Sequence, residues 1–319
     1  MNKLSKIKLA KIFGNILMCL SIFYIVRTFF KYDLDYTSLL SLKKISLIVV
    51  FVLAYSGMVF IMSYAWTRIL RFLANQSISY NDCYPIYVKS SLGKYIPGNF
   101  MHYATRNIIG NNLKLSQLDI GLSSVIEIFA ICATASIWSF ILVGNTFFSI
   151  ILTYTNNMPS WVILLVVLVV ITFVTFVILL IRHNKASVLV KRCHSLLNPK
   201  FLKLLLGNIT IQSITFLIPG FILVQILSWN SPIMLGQFRL IISAFIVSWV
   251  IGFIVPGAPG GIGVREAVLA FMLKDICGEE NILIAVVIQR LISVLGDVFA
   301  YIISLLLSVI KRNNTKIQQ

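Results

Sequence analysis

The sequence has few of the residue types from which soluble enzymes build metal sites and disulfide frameworks. Its 319 residues include five cysteines, scattered singly, and three histidines. There is no Cys-x-x-Cys pair and no closely spaced histidine pair, so neither a disulfide framework nor a zinc site is predicted. P-loop, Gly-x-Gly-x-x-Gly, His-Glu-x-x-His and Gly-x-Ser-x-Gly patterns are also missing, which argues against an ATP-driven pump or a familiar hydrolase. We therefore expect no metal and no cofactor.

Acidic residues are scarce as well. Ten Asp and Glu stand against 27 Lys and Arg, for a formal net charge of +17. The basic residues lie between apolar segments and not along one solvent-exposed face, so we expect them to contact anionic lipid headgroups and not nucleic acid. Asp33-Leu34-Asp35 has the Asp-x-Asp form of metal-dependent glycosyltransferases. It lies in a short predicted loop with no nucleotide-binding fold around it, and chance is the favoured explanation.

Long apolar segments make up most of the sequence. The composition is 59% hydrophobic and the mean hydropathy is +0.94, which excludes an ordinary soluble core. Segments of about 20 apolar residues are long enough to cross a hydrocarbon layer of about 30 Å. Residues 1–319 are thus predicted to form a single integral membrane domain, all α-helical, in which the first segment is a retained span and not a cleaved signal peptide. Six full spans are predicted, at 10–30, 45–66, 118–141, 161–181, 203–228 and 281–310.

Two further apolar segments, 79–112 and 237–277, are interrupted by proline and glycine and do not have the pattern of one continuous helix. We predict that both are re-entrant hairpins, which gives about eight membrane segments by the conventional count. This arrangement puts both termini and most Lys and Arg residues on the cytoplasmic side, as the positive-inside rule requires. It also puts an acidic group on the outer face: Asp33, Asp35, Asp275, Glu279 and Glu280. A single crossing by 237–277 would put Lys311 outside, which is less economical.

With two hairpins, residues 10–141 and 160–310 have the same order of segments in opposite orientations. Glu127 follows Pro97 at the same sequence separation at which Arg290 follows Gly260. We interpret the halves as inverted repeats, an architecture of secondary transporters that bind substrate near the bilayer midplane. Coincidence between apolar segments of similar length is the alternative.

Two stretches resemble the signature motifs of the lysylphosphatidylglycerol synthase transmembrane, or flippase-like, family. They are Leu92-Gly93-Lys94-Tyr95-Ile96-Pro97-Gly98-Asn99 and Pro256-Gly257-Ala258-Pro259-Gly260-Gly261-Ile262-Gly263-Val264-Arg265-Glu266-Ala267. Glu127, and Arg290 followed by Asp297, are also similar to that pattern. The resemblance implies a multi-pass protein of a bacterial or archaeal cytoplasmic membrane that moves or handles a lipid or lipid-linked glycan. Members that make lysylphosphatidylglycerol carry a large soluble synthase domain after the membrane region; none follows the last span here, so aminoacyl transfer from tRNA is not expected.

The two breaks are the predicted site for a lipid headgroup. Backbone groups freed by Pro and Gly must face protein or a water-filled cavity, and helix N-termini after a break attract phosphate. Arg265 is the first choice for a phosphate contact. Surface loops at the breaks, a snorkelling Arg265, and a purely topological role for Lys94 and Arg106 are the alternatives. The predicted headgroup-binding residues are Lys94, Pro97, Gly98, Arg106, Pro256, Gly257, Gly260, Gly261, Gly263, Arg265 and Glu266.

Three charged residues, Glu127, Arg290 and Asp297, are predicted inside spans, where charges usually mark a functional pathway. We predict an interhelical Glu127–Arg290 pair and a role in gating; a structural salt bridge is the alternative. Asp297 shares a helical face with Arg290, so it could bind a proton or a cation or pair with Arg290.

A flippase-like protein for an anionic phospholipid or a polyprenyl-phosphate-linked lipid is the predicted function, and enzymatic activity is less favoured. One alternative is a membrane-embedded glycosyl or aminoacyl transferase with Glu127 or Asp297 as general base. Another is a non-catalytic scaffold for enzymes of cell-envelope polysaccharide synthesis.

Overall fold

A computed structural model of the protein describes residues 41–95, 101–113, 115–157, 198–230, 232–254, 261 and 263–317. Every regular element in these ranges is helical. The predicted spans 10–30 and 161–181 lie outside them. The α-helices are α1 (Leu42–Ala74), α2 (Tyr80–Ser91), α3 (Met101–Gly110), α4 (Gln117–Asn157), α5 (Pro199–Gln212), α6 (Ile214–Leu227), α7 (Leu235–Ile254), α8 (Val264–Cys277) and α9 (Glu279–Ile317), with short 3-10 helices at Leu92–Tyr95 and Asn111–Leu113.

In the part of the chain that the structure describes, five helical segments are long and apolar enough to cross a membrane, in agreement with an all-α, multi-pass membrane protein. Four of them cover the predicted spans 45–66, 118–141, 203–228 and 281–310; the fifth is in the second broken segment. They are Leu42–Ala74, Gln117–Leu142, Pro199–Leu227, Leu235–Phe253 and Glu279–Val309.

Local signals explain where two of these helices begin. The Ser41 side chain accepts a hydrogen bond from the Lys44 backbone N–H at 3.4 Å, and α1 ends at Ala74, followed by Asn75 in the left-handed conformation. Asn198 caps α5 in the same way, accepting from the Lys200 N–H at 2.9 Å. Pro199 occupies the first turn of α5, where a missing N–H costs nothing. Polar side chains therefore define helix starts in an otherwise apolar chain.

The predicted span 203–228 is interrupted. α5 ends at Gln212 and α6 starts at Ile214, so the segment is two helices joined at Ser213. Pro219 lies inside α6, where proline removes one backbone hydrogen bond and favours bending. The Gln289 amide on α9 donates to the Pro219 carbonyl oxygen at 2.6 Å, which ties α6 to α9 near this irregular region.

Both predicted hairpins are broken into two helical arms. In the first, α2 and α3 pack against each other, and neither is long enough to cross a bilayer. In the second, α7 packs against α8, and α7 alone has the length to cross. Residues 96–100 and 255–260, which hold the prolines of the two motifs, lie outside the described residues.

The helices enclose an apolar core and turn other apolar side chains outward. α9 packs against α1, α2, α6 and α8, and α7 packs against α4, α6 and α8. Trp66, Phe216 and Leu223 are fully buried between helices. Phe129 on α4 and Leu306 on α9 are about three-fifths exposed, at 60% and 58%. Exposed apolar side chains on helices of this length form the surface that a bilayer would cover.

Candidate functional site

A cavity of about 230 Å³ lies where the two broken segments meet the long helices. It is larger than a single water molecule requires. Apolar side chains from α1, α4, α7 and α9 form much of its wall, with Met58, Ile131, Phe245 and Val286 among them. Six charged residues also line it, namely Lys94, Arg106, Glu127, Arg265, Arg290 and Asp297. The cavity thus brings together charges from both predicted halves of the chain.

Arg106 and Glu127 form the most deeply buried ion pair of the described residues, with side chains 1% and 2% exposed. Arg106 on α3 donates from Nη1 to Oε2 of Glu127 on α4, and from Nε to the Ser90 hydroxyl at 3.3 Å. The Tyr87 hydroxyl donates to the other Glu127 oxygen, Oε1, at 3.0 Å. Both carboxylate oxygens therefore have a donor, as a buried charge requires.

Aromatic rings surround the Arg106 guanidinium. Its Cζ lies 4.2 Å from the Tyr87 ring centroid, 5.0 Å from that of Trp66 and 5.4 Å from that of Tyr103. Each distance is within the range in which ring faces attract a cation. The rings also exclude water from the pair and hold Arg106 in position.

A second ion pair connects the first break to the last helix. Lys94 Nζ lies 2.5 Å from Asp297 Oδ2, and the Tyr95 hydroxyl donates to the same oxygen at 2.5 Å. Lys94 is also 3.4 Å from the Tyr55 hydroxyl on α1. Asp297 is 3% exposed and Lys94 is 30% exposed, so only the cation of this pair is partly accessible. A close approach at Gly296, where a Cβ would lie 2.7 Å from Tyr55 Cδ1, brings Tyr55 next to this pair.

The third pair joins α8 to α9. Arg290 Nη2 donates to Glu266 Oε1 at 3.4 Å, and each side chain is 16% exposed. The distance is long for a charged hydrogen bond, and the second Glu266 oxygen, Oε2, is buried without a hydrogen-bond partner among the described residues. This pair is looser than the other two.

Arg265 is the one cation lining the cavity that forms no ion pair with a described carboxylate. Its Nε is buried without a hydrogen-bond partner among those residues. Residues 255–260 contain no Asp or Glu, so they offer no missing carboxylate. The guanidinium lies over the Trp249 ring, with Cζ 5.5 Å from the centroid. Arg265 therefore offers hydrogen-bond donors and a positive charge to the cavity.

Two glycines make room for the Arg265 side chain. A Cβ added at Gly252 would lie 2.6 Å from Arg265 Cγ, and one added at Gly261 would lie 2.6 Å from Arg265 Nε. Gly261 also has φ of +75°, a conformation that other residues rarely adopt. Gly263, with φ of +83°, precedes α8 and is exposed. The glycine-rich sequence before α8 thus positions an arginine at the first turn of a helix, where the backbone N–H groups also favour an anion.

The pairing of the charges differs from the sequence-based prediction. The Glu127–Arg290 pair and the Arg290–Asp297 alternative were both wrong: Glu127 pairs with Arg106, Arg290 with Glu266, and Asp297 with Lys94. The reason is that each charge finds a partner on the nearest arm of a broken segment. The remaining predicted headgroup residues lie outside the described ranges: Pro97, Gly98, Pro256, Gly257 and Gly260.

Several residues of the site were missed by the sequence analysis, notably Tyr55, Tyr87, Tyr95, Trp249 and Gly252. The tyrosines and the tryptophan carry a polar group on an apolar body, so their presence inside apolar segments was the available signal. No sequence signal singled out Gly252, because small residues are common in membrane helices. Within the described part of the chain, no cluster of His, Cys, Asp and Glu has the form of a metal site.

Comparison of the chain with protein-family models, with curated proteins and with solved structures gave no match. What the fold and the site define is a class: a helical membrane protein with a charged internal cavity.

Proposed function

We propose that this is a flippase-like protein that binds the headgroup of an anionic phospholipid or polyprenyl-phosphate-linked lipid in the cavity and translocates or handles it. The observation that carries the proposal is Arg265, a cation facing the cavity without a carboxylate partner among the described residues. A charge held away from water without a counter-ion costs several kcal/mol. A phosphate from a lipid headgroup would supply the missing counter-ion, while the lipid chains stay in the bilayer.

The geometry supports a direction of approach as well. Lys94 is the most exposed of the paired cavity cations, and positive-inside topology puts the first break on the cytoplasmic side. An incoming phosphate would pass Lys94, which stays paired with Asp297, and bind at Arg265. In this mechanism Asp297, Glu127 and Glu266 neutralise the other three cations. The protein would work in a bacterial or archaeal cytoplasmic membrane, with both termini cytoplasmic and with enzymes of cell-envelope synthesis as partners.

Native mass spectrometry of the gently purified protein tests the proposal. We expect an anionic lipid to co-purify with the wild-type chain and to be reduced at least tenfold in Arg265→Gln, which keeps a polar side chain at this position but removes its charge. Arg239→Gln is the matched control, because Arg239 is exposed on α7. Equal lipid retention in both variants, or no selective lipid on the wild-type chain, would refute the proposal.

A further inference from the structure

Four cations and two carboxylates line the cavity, and a third carboxylate, Glu266, pairs with one of the cations. Lys94 and Arg106 each face one carboxylate, at Asp297 and Glu127 respectively. Both of those carboxylates are almost fully buried and accept a second hydrogen bond from a tyrosine. Neither pair therefore offers a free charge to a ligand, and breaking either pair would leave a buried charge without a counter-ion.

The remaining group consists of Arg265, Arg290 and Glu266. The two guanidinium groups line the same cavity and repel each other, and the one carboxylate of the group, Glu266, pairs with Arg290. The group therefore carries one net positive charge. One donor, Arg265 Nε, has no partner among the described residues, and the Arg290–Glu266 contact is long at 3.4 Å.

One net positive charge is neutralised by one negative charge. A second negative charge on the ligand would find no free cation among the described cavity residues, and the Glu266 carboxylate that holds Arg290 would repel it. Like charges confined in a site of low polarity repel strongly, since little water is present to screen them. A doubly charged phosphate could bind only by displacing Glu127 from Arg106 or Asp297 from Lys94. Both of those ion pairs are closer than the Glu266–Arg290 pair.

We infer that the Arg265 site selects a phosphate with a single negative charge, which is a phosphodiester, over a phosphomonoester or a pyrophosphate. The inference rests on the proposed function and specifies its substrate class. Glycerophospholipids and sugars linked to a prenyl chain through one phosphate are both phosphodiesters, whereas pyrophosphate-linked intermediates are excluded. The selectivity depends on charge and not on the lipid tail.

The test compares two lipids that differ in one methyl group. The full-length protein in micelles of an uncharged, phosphate-free maltoside detergent is titrated with dioctanoyl phosphatidylmethanol, a singly charged diester, or with dioctanoyl phosphatidic acid, a monoester. The titration is done at pH 8 without divalent cations, above the second phosphate pKa of about 6, and bound lipid is counted by native mass spectrometry. We expect the diester to bind at least tenfold more tightly. Soluble glycerophosphoglycerol is the third probe; binding as strong as that of the lipid diester would identify a soluble diester, not a lipid, as the ligand.

A charge-changing variant gives an independent readout. Glu266→Gln removes the carboxylate of the group and raises its net charge by one, so the preference for the diester should fall at least tenfold or reverse. Glu279→Gln, at an exposed position in the first turn of α9, should leave the preference unchanged. A structural role for Glu266 would weaken both lipids equally and would not change their ratio.

The outcomes separate this inference from the proposed function. Tighter binding of phosphatidic acid, or an unchanged ratio in Glu266→Gln, overturns the inference and leaves headgroup binding standing. Failure of both lipids to bind the wild-type protein overturns the two together. The wild-type comparison decides the matter even where a variant does not fold.

Discussion

Replacing either member of the Arg106–Glu127 pair should destabilise the protein, and replacing both should largely restore it. Glu127→Met leaves Arg106 buried at 1% exposure without its carboxylate. Removing one partner of a buried ion pair costs about 3–5 kcal/mol. Arg106 keeps its bond to Ser90 and its contacts with three rings, which moves the expected cost to the lower end, about 3 kcal/mol.

The double variant Arg106→Met/Glu127→Met removes both charges and puts side chains of suitable volume in their place. Such replacements in protein interiors are often neutral or stabilising. We therefore expect the double variant to be more stable than either single variant. Thermal unfolding in detergent, followed by circular dichroism, measures the difference. For a chain of this size about 2 °C corresponds to 1 kcal/mol, so each single variant should lose about 6 °C or more.

The control is Glu279→Met, at an exposed position where a lost charge should change the free energy of unfolding by less than about 0.5 kcal/mol. A double variant that loses as much stability as the sum of the two single variants would show that Arg106 and Glu127 act independently. That result would refute the reasoning, because it would mean that neither charge compensates the other.

Two further predictions concern the position of Arg265 and the topology. Gly252→Ala should reduce co-purified anionic lipid at least tenfold while the protein stays folded, because the new Cβ would lie 2.6 Å from Arg265 Cγ and displace the guanidinium; native mass spectrometry measures the loss. Gly57→Ala, with open space around its Cα, should retain the lipid. Single cysteines at Asp275 and Lys311, in a cysteine-free background, should react with an impermeant maleimide from opposite sides of the membrane. Labelling from one side would remove the second hairpin and the repeat symmetry together.

The helices that cross the bilayer could be predicted from the sequence because their length and apolar composition are set directly by the thickness of the hydrocarbon layer. The interruption at Ser213 could not. Residues on both sides of it are apolar, and a hydropathy pattern does not distinguish one straight helix from two joined helices. Pro219 was a signal for bending, yet proline inside a membrane helix is tolerated too often to fix a break by itself.

The sequence indicated which charged residues belong to the site, but it did not indicate correctly which of them pair with each other. The rarity of charges in apolar segments identified Glu127, Arg290 and Asp297 as unusual. Sequence position indicates the depth of a residue in the membrane but not which helix packs beside it. Arg106 shows the difficulty, since a basic residue near a break is equally expected from positive-inside topology.

Two of the three cavity ion pairs each lie within one predicted half of the chain, and the third joins the two halves. Arg106–Glu127 joins the second arm of the first broken segment to the long helix after it, and Glu266–Arg290 does the same in the second half with the signs exchanged. Each of these pairs lies within one predicted half and is neutral, so an arm and its helix can move as a unit without separating charge. Lys94–Asp297 is the one pair of the three that joins the two halves. Relative movement of the two predicted halves would have to break this bond, and breaking it would leave Asp297 buried, at 3% exposure, without its cation.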